Sequence, residues 1–209
     1  MGSVFRLIKI FAIFCIFCLT PVLCLYVDFF VFKLESIGEI SLSEITQEMI
    51  LLIICVIYAM CIKNKAKFHR LSVLIFGFFT TMLIRELDAF FDEIRHGSWI
   101  YPTLLVAISS IAYAFKDPKH LNDELERYLK TRSFIVALCG LTVVLVFSRV
   151  FGTMSFWMHV LNDKNMASLV KNTVQEGLEL FGYILCLMSA VLYGRYVLKF
   201  NKEQYARFK

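Results

Sequence analysis

Residues 7–32 read LIKIFAIFCIFCLTPVLCLYVDFFVF. A helix that crosses a bilayer needs roughly 20 mostly apolar residues, and this stretch exceeds that length. Its basic start, Arg6 and Lys9, also suits a signal peptide. The apolar run is too long for one, however, and lacks a small-x-small cleavage site. Leu23 precedes Cys24 where a lipoprotein needs a small residue, and Arg6 sits where a myristoylation signal wants Ser or Thr. The expected element is an uncleaved first helix.

The rest of the chain repeats the pattern. Of its 209 residues, 59% are hydrophobic and 19% charged, and the mean hydropathy is +0.70. A soluble domain averages about 45–50% apolar and about 25% charged. That excess cannot hide in a soluble core of this size. Disorder and a secreted disulfide scaffold are excluded, and a conventional soluble enzyme is disfavoured. The expected fold is all-α: a polytopic transmembrane helix bundle of about six spans, forming a single domain over residues 1–209. Further spans are expected near 44–62, 71–92, 99–115, 133–157 and 172–198. The second and fourth are short, so five spans remain an alternative.

Charge alternates between the loops. Arg6 and Lys9, then Lys63, Lys65, Lys67 and Arg70, then Lys116, Lys119, Arg127, Lys130 and Arg132, then Arg195, Lys199, Lys202, Arg207 and Lys209 fall on one side. The other side holds Lys33, Arg95, Lys164 and Lys171, with the acids Glu35, Glu39, Glu44 and Glu48 of the 33–48 linker. The positive-inside rule puts both termini in the cytoplasm. The net charge of +5 is then a cytoplasmic rim, suited to anionic lipid headgroups or a protein partner, and not to nucleic acid. A bacterial inner (plasma) membrane is the expected location. In residues 116–132, Leu121, Leu125, Tyr128 and Leu129 recur at helical spacing among charges, which predicts an amphipathic connector on the inner surface.

The seven cysteines, Cys15-x-x-Cys18 included, fall inside predicted helices with no second CxxC, and read as small hydrophobes. The four histidines form no HxxxH or HExxH pair. Phosphate-binding glycine motifs are absent. The match of Leu87-Asp88-Ala89-Phe90 to Leu178-Glu179-Leu180-Phe181 is too short for a repeat.

Charges inside the spans carry the functional reading. At about 100° per residue, Arg85, Asp88 and Asp92 share one face of helix three, with His96 continuing the stripe. On helix six, Asn172, Glu176, Glu179 and Tyr183 share a face; helix five brings Arg149. Arg85 and Arg149 each lie about fifteen residues, roughly 22 Å, above the inner edge. Glu176 and Glu179 lie one to two turns below the outer one. Ionised groups at depth cost at least about 2.5–3.5 kcal/mol on insertion scales, so they pair or line water. The expected arrangement is one cluster in the outer half of the bilayer, with four acids facing two arginines. A surplus of acids suits a proton, a metal cation or a cationic ligand. A purely structural ion-pair network is the plain alternative.

Three functions follow. The first is an ion or proton channel, transporter or sensing component built on that cluster. The second is a non-catalytic scaffold or partner-binding subunit. The third, less favoured, is a metal-dependent enzyme on lipid-linked substrates, with His96 or His159 as ligands. No cofactor is identified. Gly177, Gly182 and Gly194, with Ser109 and Ser110, permit close helix contact and are compatible with a homo-oligomer.

Overall fold

The computed structural model describes residues 2–32, 41–63, 68–93 and 95–207. Lys33, Glu35, Glu39, Lys65, Lys67 and Lys209, and the side chains of Lys199, Lys202 and Arg207, lie outside the described residues. Among the described residues 90% are helical and none is in a strand.

Helix α1 (Gly2–Tyr26) is apolar on all sides and runs into a π-helical turn, Val27–Val31. Pro21 sits inside α1. Its ring removes one backbone donor and clashes with the turn before it. Helix α2 spans Leu42–Lys63, α3 His69–Glu86, and a single turn, α4, Asp88–Asp92. Then come α5 (Ile100–Ala114), α6 (Pro118–Leu129) and α7 (Arg132–Thr142). A second π-helical turn, Val143–Phe147, joins α7 to α8 (Ser148–Phe151). Helix α9 is Met154–Leu161, and α10 runs without a break from Lys164 to Arg207.

Four stretches are long and apolar enough to cross a membrane: Val4–Val31, Leu42–Lys63, Arg132–Phe151 and Lys164–Leu198. Helix α5 is apolar but has 15 residues, about 22 Å at 1.5 Å per residue, short of a core about 30 Å thick. Helix α3 has 18 residues, about 27 Å. Burial differs sharply among the four. Only 11% of the most apolar window of the first stretch is buried, against 50% for the last. The apolar side chains of α1 therefore face outward, as lipid-facing side chains do, and α10 is the packed one.

The helix ends differ from the sequence expectation in three places. The fifth stretch, expected to reach residue 157, stops at Phe151. Gly152 follows, and Thr153 takes an extended conformation before α9 starts. The sixth, expected from 172, begins at Lys164, where the Asp163 carboxylate accepts the Met166 N–H at 2.8 Å and caps the helix. Asn162, in the left-handed conformation (φ 53°), closes α9, the usual role of Asn or Gly at a helix C-terminus. The third stretch breaks at Leu87.

The chain divides into two compact units. One holds Met1–Gln47 and Gly140–Ile184; the other holds Glu48–Cys139 and Leu185–Lys209. In the first unit, α10 lies tightly on the segment around the second π-helical turn. A Cβ on Gly182 would come within 2.4 Å of Val144 Cγ2 and 2.9 Å of the Gly140 carbonyl oxygen. In the second unit, α3 packs on α5 with Gly77 against the Ser110 side chain. Tyr58, Tyr128 and Tyr193 are buried together there, and the hydroxyls of Tyr193 and Ser72 lie 2.8 Å apart.

Helix α6 is amphipathic, but its buried face is not the expected one. Leu121, Glu124 and Tyr128 are buried, while Leu125 and Leu129 are exposed. Glu124 turns inward because its carboxylate accepts the Leu71 N–H at 2.7 Å, satisfying a donor that the first turn of α3 leaves open.

Candidate functional site

The expected cluster resolves into two groups, one in each unit, and each is described by itself.

The group on α10 belongs to the first unit. Glu179 is 3% exposed, inside a stretch apolar enough to span a membrane. Arg149 Nη2 lies 3.6 Å from Glu179 Oε1, with side-chain exposures of 49% and 4%. Gln175 Nε2 donates to the same oxygen at 3.4 Å. One turn away, Gln47 Nε2 donates to Glu176 Oε2 at 2.9 Å and to the Glu176 carbonyl at 3.3 Å. Gly152 makes room for this row: a Cβ there would fall 2.4 Å from Gln175 Oε1. Tyr183, on the same face of α10, is fully buried. The structure thus places Arg149 beside Glu179 and adds Gln47 and Gln175.

The group after α3 belongs to the second unit. The face expected to carry Arg85, Asp88 and Asp92 does not persist, because the helix breaks at Leu87. Arg85 is in an ion pair with its neighbour Glu86. Asp88 is exposed. Asp92 serves the turn that follows: it accepts the Gly97 N–H at 2.8 Å, and His96 Nδ1 is 2.7 Å from its other oxygen. Gly97, at φ 77°, allows that turn. The Gly97 N–H, with help from His96, holds the Asp92 carboxyl below its ordinary value of 3.8. His159 is exposed on α9. No group of three or more His, Cys, Asp and Glu side chains that could hold a metal ion occurs among the described residues, so a metal-dependent enzyme finds no assembled donor set there.

Sequence reasoning missed Asp28. It is fully buried in the first π-helical turn, and three groups of the incoming helix converge on it. Leu42 N–H donates at 2.6 Å to Oδ1; Ser43 N–H and Ser43 Oγ donate at 3.0 and 2.6 Å to Oδ2. Asp28 therefore acts as the N-terminal cap of α2, supplied from another helix, where a negative charge also meets the positive end of the helix dipole. The available signal was Ser41-Leu42-Ser43 ahead of an apolar run, a helix start that needs an acceptor. With α2 seated this way, Gln47 lies little more than a turn further on and reaches Glu176.

No family model matches this chain, and no match is found among curated proteins or solved structures.

Proposed function

We propose that this chain is an integral membrane protein that handles an ion or a proton at the acids of α10, as a small channel, transporter or sensing component. The observation that supports this most is Glu179: a carboxylate 3% exposed in an apolar spanning stretch, with a half-exposed arginine 3.6 Å away. An ionisable group at such depth is costly and usually serves an ion pathway or a proton relay. In this reading Arg149 is the counter-charge, Glu176 a second acid, and Gln47 and Gln175 orient the two.

Six spans, α3 and α5 crossing as a short pair, and both termini in the cytoplasm of a bacterial inner membrane complete the proposal. With four crossings or six the count is even, so the termini share a side, and the lysine-rich loops favour the inside.

The test is proton and cation flux in proteoliposomes. Glu179→Gln is expected to abolish or retune flux while the protein still inserts. Unchanged flux in the variant overturns the reading.

One observation favours a scaffold instead. Gln47 bonds both the side chain and the backbone of Glu176, tying two helices as a structural lock would. Under that reading, substitutions at Glu176 and Glu179 lower stability and change nothing else.

A further inference from the structure

A groove of about 430 Å³ runs along α3 and α5 in the second unit. That volume falls within the usual range for small-molecule sites, about 300–1,000 Å³. Val73, Phe76, Gly77, Thr80 and Val106 line its length, and from His69 to Thr80 it follows about 16 Å of helix. One end is different. Tyr113 closes it, with His69 Nε2 2.9 Å from the phenol oxygen. Arg70 Nη1 donates to the Tyr113 carbonyl at 3.0 Å. The Arg70 guanidinium lies 5.8 Å from the centre of the Tyr113 ring, and Lys116 Nζ lies 5.6 Å from it. The groove is thus apolar along its length, and two cations lie beside Tyr113, the residue that lines its end.

We propose that this groove holds an anionic phospholipid, with an acyl chain between α3 and α5 and the phosphate against Arg70 and Lys116. The charge complementarity selects the occupant. An apolar partner helix would fill the length but bring no acid to the two cations beside Tyr113, whereas a phosphodiester with an attached chain satisfies both parts. Basic pockets between membrane helices bind acidic headgroups in this way, and the Arg70 fork suits a phosphate better than a point charge does. The Tyr113 carbonyl, at the C-terminal end of α5, anchors Arg70 where the helix dipole favours a cation. The proposal rests on the chain being membrane-embedded, but not on the acids of α10.

Detergent-purified protein is titrated with phosphatidylglycerol, phosphatidylcholine or inorganic phosphate, following thermal unfolding. Wild type is expected to bind phosphatidylglycerol most tightly, phosphatidylcholine more weakly, and inorganic phosphate weakest of all. Lys116→Gln, at an exposed position, should weaken phosphatidylglycerol binding roughly fivefold and phosphatidylcholine, whose choline already offsets its phosphate, by less. Ser109→Phe, at an exposed residue lining the groove, should weaken both lipids and leave unfolding without lipid unchanged. Equal binding of the two lipids, inorganic phosphate matching phosphatidylglycerol, or lipid binding untouched by both variants overturns the proposal. So does a change of oligomeric state in lipid-free Ser109→Phe, which would make the groove a self-association face. Flotation with vesicles separates the premise: protein that fails to float overturns the membrane reading, whereas floating protein without headgroup preference overturns the groove alone.

Discussion

Replacing Asp28 by alanine removes three hydrogen bonds from the start of α2, those from Leu42 N–H, Ser43 N–H and Ser43 Oγ. Hydrogen bonds to a charged group contribute about 1.5–3 kcal/mol each. Simple addition overshoots, because the buried carboxylate also loses its own desolvation penalty, several kcal/mol for a buried ion. A net loss of about 2–4 kcal/mol is expected, at or above the top of the range for ordinary caps, about 0.5–2 kcal/mol. Asp28→Asn keeps the volume and one acceptor oxygen, but its amide faces a backbone donor that no longer finds a partner. An unmet buried donor costs about 1–3 kcal/mol, so Asn should fall between wild type and Ala. Reversible unfolding in mixed detergent and SDS gives the energies. Hydrogen exchange at the amides of Leu42 and Ser43 gives the location, and should accelerate most in Asp28→Ala. The effect also reaches the site, since Gln47 sits on the helix end that Asp28 holds. Stability of Asp28→Ala within about 0.5 kcal/mol of wild type, the range of ordinary surface substitutions, with exchange unchanged at these amides, would refute the capping argument.

Two further outcomes are expected. Gly182→Ala drives a methyl against the Gly140 carbonyl oxygen at 2.9 Å and the Val144 nitrogen at 3.1 Å, backbone atoms that cannot rotate away, so a loss of about 1–3 kcal/mol follows; the same SDS titration checks it, and wild-type stability would contradict the close approach. At Glu124, burial pushes the carboxyl above its ordinary 4.5, against the pull of the Leu71 N–H, His120, the Arg70 N–H and His69. A raised carboxyl favours the folded state fully below the unfolded value and loses that advantage as pH rises through the folded one. Wild type should therefore gain stability relative to Glu124→Gln as pH falls from neutral toward 4.5, and parallel pH profiles for the two proteins would contradict it.

The long apolar stretches, and hence the helical class, were legible because 20-residue hydrophobicity is a one-dimensional signal. Gly182 was legible as a contact glycine for the same reason: a small residue in an apolar helix has few other uses. Asp28 and Glu124 were not, because each caps a helix distant in sequence, and caps are visible only when the capping residue precedes its own helix. Asp117, which directly precedes α6 and accepts the His120 N–H, is the local kind. Helix α6 shows the consequence. Its leucine periodicity suggested one buried face, and the need of the α3 N-terminus for an acceptor rotated Glu124 into it. The break at Leu87 hid for another reason. Residues 85–93 keep a helical charge spacing, but the turn built on Asp92, His96 and Gly97 draws that segment into its own hydrogen bonds.

The geometry of Arg149 and Glu179 bears on whether the acids of α10 lock the fold or handle an ion. A structural pair is most effective when both partners are buried and share short, directed hydrogen bonds, because its attraction must offset two desolvation penalties. Here Glu179 is 4% exposed in its side chain, Arg149 is 49% exposed, and the separation is 3.6 Å, beyond an ordinary charge-assisted bond of about 2.7–2.9 Å. The arginine is only half enclosed, so the pair is open on one side. The carboxylate is buried on the other side, with Gln175 also donating to it. Glu176, by contrast, holds a 2.9 Å bond from buried Gln47, a short directed contact of the locking kind. In the proposed reading the two acids then differ in weight: Glu176, the second acid, also ties α10 to α2 through Gln47, and Glu179 is the one that would respond to what approaches Arg149. Glu176→Gln should lower stability with little change in the pH dependence of flux, whereas Glu179→Gln should remove that dependence while the helices stay in place.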